Sequence, residues 1–326
     1  MITVADRVFR TSGHTGEPVD WARTGAQLVA ETELVAAASL GPVDQVVTFA
    51  PTTHLYGTLF GDLLPRILGV PVQDLSHDVL ALPVLPAGAR TLFVCLPASW
   101  HVMRAVAAGA ADLTGSIALH GTGPTTAATA QALPALTARG LRAVELFGST
   151  ETGGVAQRDI SADPAPWRLL PDVAFADRPE SPDETCLLHV RSPRIARRVG
   201  AAAAATTHLL TDVVRVVGDR EFHFVGRSSR LVKINGRRCD LGAVEGLLAA
   251  ALPGTEVVCL AVRDGIRGEH YELFHTGPAD DLRPRLPGLL GDLPLPRGVH
   301  RVPRIPRTAT GKVKTDRLYS LGVSAR

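Results

Sequence analysis

Along the first two-thirds of the chain, short apolar runs alternate with longer stretches in which apolar positions recur at helical spacing. VVTFAP, TLFVCLP, SIALHG and AVELFG each end at Gly or Pro, the pattern of short buried strands. Between them, WARTGAQLVAETELVAAASL and TTAATAQALPALTARG predict helices, with Pro134 breaking or starting a helix in the latter. Strand–helix alternation of this kind predicts an α/β layer structure with a largely parallel sheet. Between residues 158 and 208 the pattern loosens into DPAPWRLLPD, RPESPDE and the alanines Ala201 to Ala205. Apolar residues still recur there, which predicts irregular surface structure with short strands such as CLLHVRS, not a disordered linker. From about residue 227 the grammar changes. LVKINGRRCD predicts a hairpin, LGAVEGLLAA a helix, EVVCLAVRD and HYELFHTG strands, and DDLRPRLPGLLGDL another helix. A large α/β domain over residues 1–226 and a small α+β domain over 227–326 are therefore expected, since 326 residues exceed what one core usually holds.

Composition narrows the partners. Lys and Arg number 34 against 32 Asp and Glu, so no basic surface suited to nucleic acid is expected. Any anion must be bound locally. Cys95, Cys186, Cys239 and Cys259 lie far apart without a CxxC pair, against a zinc site or disulfide framework and in keeping with the reducing cytoplasm. No charged-then-apolar leader opens the chain, and no apolar stretch of about 18 residues predicts a membrane span. Eleven histidines lack the spacing of a His-built metal site.

Four segments carry candidate chemistry. Thr11, Ser12, Gly13, His14, Thr15 and Gly16 follow the short strand DRVF; glycines admit close backbone approach, and N–H and hydroxyl groups suit phosphate oxygens. Alone, the segment reads equally as a polar turn. Phe147, Gly148, Ser149, Thr150 and Glu151 end the run AVEL. There an aromatic ring can stack on a purine, Thr150 can donate to an anionic oxygen and Glu151 can ligate Mg²⁺, at a strand end where open α/β sheets bind ligands. Asp212 after the run LL and Arg227 can meet ribose or phosphate; taken singly, each reads better as a surface charge. Lys312, in RIPRTATGKVKTDRL, reads by itself as a solvated tail residue.

The order and spacing of these segments, from residue 10 to residue 318, resemble the adenylate-forming superfamily of acyl-CoA synthetases, peptide-synthetase adenylation domains and luciferases. TSGHTGEP resembles its phosphate loop and FGSTETGG its adenine, phosphate and Mg²⁺ loop. THLYG, with His54, Tyr56 and Gly57, resembles the segment beside the acyl pocket. HGTGP, with Gly121, Thr122 and Gly123, resembles the loop on one adenine face. LLTD resembles the ribose-binding segment. GRSSRLVKINGRRCDL resembles the hinge, here Ser229, and the hairpin with Lys233, Asn235, Gly236 and Arg237 that faces the thiol acceptor. PRTATGKVKTDRL resembles the tail bearing the catalytic lysine, Lys312.

The resemblance implies ATP-dependent activation of a carboxylic acid, aryl or unsaturated, to an acyl-adenylate. Lys312 and Thr150 would stabilise developing charge, and Glu151 would hold Mg²⁺. A mobile C-terminal domain would then present the hairpin so that CoA or an acyl carrier protein accepts the acyl group. Transfer to an amine, or a weakly active nucleotide-binding subunit, are the alternatives. The chain departs from the family pattern at Val19, where lysine is usual, at His14, and at Ser229, where aspartate is usual. It also begins at the phosphate loop, without the roughly 100 or more residues that usually precede it, from which a homodimer covering an exposed face is expected.

Overall fold

A computed structural model describes residues 3–11, 19–78, 80–161, 163, 165–179, 181, 184–228, 230–234, 237–264, 268–277, 282–308 and 313–323. The chain divides into two compact units: Met1–Glu184 with His189–Leu210 and Val216–His223, and Thr185–Leu188 with Thr211–Arg215 and Phe224–Arg326.

In the first unit, β1 (Arg7–Thr11) pairs antiparallel with β2 (Val19–Arg23). A parallel group follows: β3 (Gln45–Thr48), β4 (Val72–Asp74), β5 (Thr91–Cys95), β6 (Ile117–His120) and β7 (Arg142–Ser149), ordered β4-β3-β5-β6-β7. The apolar runs read as strands all lie here. β7 then returns directly as β8 (Gly153–Asp159), antiparallel to it. The remaining strands of these sheets are β9 (Trp167–Leu169), β10 (Ala174–Phe175), β11 (Thr185–Arg191), β12 (Arg197–Arg198), β13 (Thr207–Val216) and β14 (Glu221–Arg227), of which β11, β13 and β14 have residues assigned to each unit. All but β12, which pairs with β2, continue the sheet in the order β8-β9-β14-β13-β11-β10, giving eleven strands. The sheet is thus parallel only as far as β7, a correction to the largely parallel expectation. The physical reason is the connection Thr150–Thr152, far too short for the crossover that a parallel neighbour requires. The Pro-rich stretch after residue 158 carries short strands, as expected, with β11 over CLLHVRS, separated by segments without regular structure.

The helix read from Trp21 begins only at Gly25 and runs to Ser39. Thr24 and Gln27 form a capping box, the Thr24 hydroxyl accepting from Gln27 N and the Gln27 side chain accepting from Thr24 N. Trp21, Ala22 and Arg23 consequently belong to β2. A Cβ at Gly25 would lie 1.7 Å from the Val4 carbonyl oxygen, so only glycine lets the chain pass there. Helix Ala127–Ala138 runs through Pro134, without the break allowed for. It packs with helix Trp100–Ala108 on the parallel strands over Val47, Phe93, Trp100, Met103 and Leu136, all fully buried. Each such side chain contributes about 1.5–3 kcal/mol by leaving water.

In the second unit, β15 (Leu231–Ile234) and β16 (Arg237–Asp240) form the expected antiparallel hairpin. Asp240 then caps helix Leu241–Ala251 by accepting from Gly242 N. β17 (Val257–Asp264) pairs antiparallel with β18 (Gly268–His275), and β19 (Gly298–Arg301) joins β18 in parallel. Val244, Leu248, Cys259, Tyr271 and Leu273 fill the core. Of the segment DDLRPRLPGLLGDL, the described residues from Leu282 onward form a 3₁₀ turn and the short helix Leu286–Leu290, because Pro284, Pro287 and the positive-φ Gly291 leave no room there for a longer one.

Candidate functional site

The connection from β7 to β8 concentrates the candidate chemistry. Phe147, Gly148 and Ser149 are the last residues of β7, so the loop proper is only Thr150, Glu151 and Thr152. Ser149 and Thr152 close it reciprocally: Ser149 N donates to Thr152 Oγ1 and Thr152 N to Ser149 Oγ, each at 3.2 Å. A register shift falls between Phe147 and Gly148. A Cβ on Gly148 would lie 2.1 Å from the Gly153 carbonyl oxygen, so the hairpin closes only around glycine. The Phe147 ring is half-buried, edge-on to Trp167 at 5.3 Å and to Phe222 at 5.8 Å. Thr150 and Glu151 are also half-buried.

Beneath this turn lies a buried ionic network that the sequence did not announce. Arg23 donates from Nε and Nη2 to the Thr150 carbonyl at 3.3 and 3.1 Å, and from Nη1 to Glu31 and to the Arg194 carbonyl, both at 3.0 Å. Glu31 accepts from Gly154 N at 2.7 Å. Arg194 donates to the Gly154 carbonyl at 2.8 Å and forks onto Asp172 at 2.7 and 2.8 Å. Ala196 N donates to the Glu151 carbonyl at 2.8 Å. Burial pulls the Arg23 guanidinium below its ordinary range against the pull of Glu31; at Arg194 the same burial is outweighed by Asp172 and Glu31.

The loop Gly121–Pro124 is held by His120, fully buried at the end of β6. Trp100 Nε1 can only donate, and it meets His120 Nδ1 at 3.0 Å; the ring proton therefore sits on Nε2, which donates to the Gly123 carbonyl at 2.9 Å. Burial lowers the His120 pKa to about 4. Thr122 has φ of 70°, a left-handed conformation that is strained for a β-branched residue. The Tyr56 ring covers Gly121, where a Cβ would fall 2.7 Å from the ring, and its hydroxyl donates to the Leu119 carbonyl at 2.6 Å. His54, half-buried, immediately precedes the helical turn Leu55–Gly57. Gly57 is buried, its Cβ position 2.1 Å from the Pro51 carbonyl oxygen, so close packing requires glycine there. Glu145, buried on β7, takes a salt bridge of 2.8 Å from Arg158, whose guanidinium lies over Trp167. The Glu145 pKa is raised, by burial above all, against Arg158 and the Thr125 backbone.

In the second unit, Asp212 and Arg227 meet: Arg227 Nε donates to Asp212 Oδ1 at 2.9 Å, with Asp212 buried and Arg227 exposed. Asp212 lies within β13, not after it as expected. Lys233 pairs in register with Arg238, and Ile234 with Arg237. Thr11 ends β1, its hydroxyl donating to the Val19 carbonyl at 3.1 Å. Ser12, Gly13, His14, Thr15, Gly16, Ser229, Asn235, Gly236 and Lys312 lie outside the described residues. A surface hollow of about 670 Å³, lined by Arg7, Thr52, Asp62, Pro65, Arg66 and Val72 among others, includes none of the predicted residues, and its two arginines are paired with Asp62. No helix among the described residues is long and apolar enough to cross a membrane.

No family model matches the chain. A 4-coumarate–CoA ligase of Rhodobacter capsulatus is 30% identical over 289 residues, covering 85% of this chain and 64% of that ligase. Among solved structures, the anthranilate CoA ligase AuaEII in complex with anthranoyl-AMP superposes with a TM-score of 0.74 at 18% identity, over 98% of this chain and 67% of its own. The O-succinylbenzoate coenzyme A synthetase of Bacillus subtilis, in complex with ATP and a magnesium ion, superposes with a TM-score of 0.72 at 15% identity, over 96% of this chain and 69% of its own. The chain is thus related, in sequence and in fold, to the adenylate-forming superfamily, and spans about two-thirds of the length of these relatives.

Proposed function

We propose that this chain activates a carboxylic acid with ATP to an acyl-adenylate, releasing pyrophosphate, and passes the acyl group to a thiol of CoA or of a carrier-protein phosphopantetheine. The observation that carries this reading is the β7–β8 turn. It presents Thr150 and Glu151 half-exposed at the end of a central strand while their carbonyls are held from behind by Arg23 and Ala196. A triphosphate and a carboxylate repel each other, so the reaction needs fixed donors where charge concentrates. Thr150 would donate to the carboxylate and α-phosphate oxygens. Glu151, an oxygen donor on a rigid turn, fits Mg²⁺, which when bound would neutralise phosphate charge. The exposed part of Phe147 would lie against the purine, with the Gly121–Gly123 loop on its other face, and Asp212 with Arg227 would take the ribose.

Lys312 would approach the reacting oxygens in the first step and withdraw in the second, carried by a C-terminal domain that turns about Ser229. The β15–β16 hairpin would then face the acceptor. An aryl or unsaturated acid is favoured, because no charged residue in the segments assigned to the acyl pocket would pair with an ammonium group. The test is pyrophosphate release across aliphatic, aryl and amino acids, followed by transfer to CoA, to holo-carrier protein and to an amine. Release with an aryl acid and transfer to a thiol is the expected result. Release with transfer only to the amine would replace the thiol acceptor, and no release with any acid would overturn the reading.

A further inference from the structure

We propose that Arg23 is the positioning residue of the Thr150–Glu151 turn, held in place for that task by Glu31, Arg194 and Asp172. The inference rests on the adenylation reading of that turn and adds the groups that aim it. Three observations carry it. First, one guanidinium spends two N–H groups on a single carbonyl, that of Thr150, and its other contacts go to Glu31 and the Arg194 carbonyl. Second, the network grips both ends of the turn. Arg23 holds Thr150 at its start, while Glu31 and Arg194 hold the N–H and carbonyl of Gly154 just beyond its end. Third, the local sequence is shaped around the network. Gly153 has φ of 72°, and a Cβ there would lie 2.3 Å from Glu31 Oε2.

A network serving packing alone gains little from ions. Arg23, Glu31 and Arg194 are almost wholly enclosed, and apolar residues of similar volume often stabilise a core as well or better than a buried ion pair. What charge supplies here is direction. A planar fork with fixed donors sets the orientation of the Thr150 peptide, and so the direction from which the Thr150 hydroxyl and the Glu151 carboxylate leave the turn. The segments that meet, β2, the helix after it, the β7–β8 turn and residues 192–196, are joined by these bonds among themselves.

The test compares the parent chain with Arg23→Met, Arg23→Lys and Glu31→Gln. It measures melting temperature, pyrophosphate release at varied MgATP, Mg²⁺ and acid, and hydrogen exchange of the segment 147–156. Positioning predicts a folded Arg23→Met protein whose kcat falls about 10²-fold, the scale of an ångström of misplacement. Its half-saturating Mg²⁺ should rise, and exchange should quicken in 147–156 alone. Arg23→Lys should recover part of kcat, and Glu31→Gln, which keeps shape but loses the charge and one of the two acceptor oxygens that meet Gly154 N and Arg23, should show the same changes more weakly. A lowered melting temperature with parental kcat, Mg²⁺ dependence and exchange would overturn the proposal in favour of a structural role. If Arg23→Met does not fold, Glu31→Gln decides on the same readouts. If the parent releases no pyrophosphate, the functional reading fails by itself, and parental exchange of 147–156 in the variants would still overturn the positioning role.

Discussion

Acidification from pH 7 to pH 4 tests the buried His120 directly. The folded chain keeps this ring neutral at values where an unfolded chain would protonate it, since burial moves its pKa from 6.5 to about 4. Across that range the unfolded state binds the extra proton, so stability falls as pH is lowered and the full contribution is present above 6.5. At about 1.4 kcal/mol per pH unit, the linkage comes to about 3 kcal/mol, with no discount for solvent because the side chain is fully buried. Protonation would also set a new donor at Nδ1 against the Trp100 N–H, so the Gly121–Pro124 loop should loosen as the ring charges. Glu145 acts with the opposite sign. Its raised pKa favours the neutral form in the folded state, so its contribution is full below 4.5 and is lost as pH rises through the folded value. A His120→Gln variant separates the two, because it keeps a donor for the Gly123 carbonyl and removes only the imidazole titration. Urea unfolding followed by tryptophan fluorescence reports on the first unit, which contains Trp21, Trp100 and Trp167. The parent should lose about 3 kcal/mol more than His120→Gln between pH 7 and pH 4. Equal losses in the two proteins would refute the assignment of the titration to His120.

Three further perturbations follow from the site. Lys312→Ala should lower adenylate formation by about 10²-fold or more while transfer from a supplied acyl-adenylate persists; single-turnover assays of each half-reaction separate the steps, and equal loss in both would remove the division of labour. Phe147→Ala should weaken ATP binding by about 1–2 kcal/mol, and Glu151→Gln should raise the Mg²⁺ requirement; calorimetric titration with ATP at graded Mg²⁺ reads both. Gly153→Ala should destabilise the first unit by about 3 kcal/mol or more, because its φ is positive and Glu31, pinned by Arg23 and Gly154 N, has no room to yield; thermal melting measures the loss.

The parallel strands were legible because each is a short, continuous apolar run closed by Gly or Pro, and the hairpin and helix after residue 230 because their turn and capping residues are local signals. What escaped was set at a distance. Trp21, Ala22 and Arg23 read as helix, although Thr24 and Gln27, three apart, are the capping box that starts the helix one residue later. Between Gly153 and Val216, β11 was legible as CLLHVRS, while the other strands were obscured by prolines and by exposed polar positions on one face. Of the candidate site, Asp212 and Arg227 do meet, and Thr150 and Glu151 do occupy a tight turn. Arg23, Glu31, Asp172 and Arg194 drew no notice, because an isolated charge in a sequence reads as surface until its partner is known. Glu145 inside AVELF carried a usable signal, a carboxylate within a buried run, which generally requires a partner such as Arg158.

The network under the turn also bears on how the chain reaches its working form. Arg23 bonds to a carbonyl 127 residues away and to another 171 residues away, so these contacts close some of the largest loops in the first unit. Closing such loops is entropically slow, and contacts of this sequence separation come late in folding. The Thr150–Glu151 turn should therefore acquire its shape only after β2, the following helix and the segment around Arg194 have all docked. An incompletely folded chain, even one with its parallel sheet assembled, would then be unable to hold nucleotide, and recovery of nucleotide binding during refolding should lag behind recovery of helical signal.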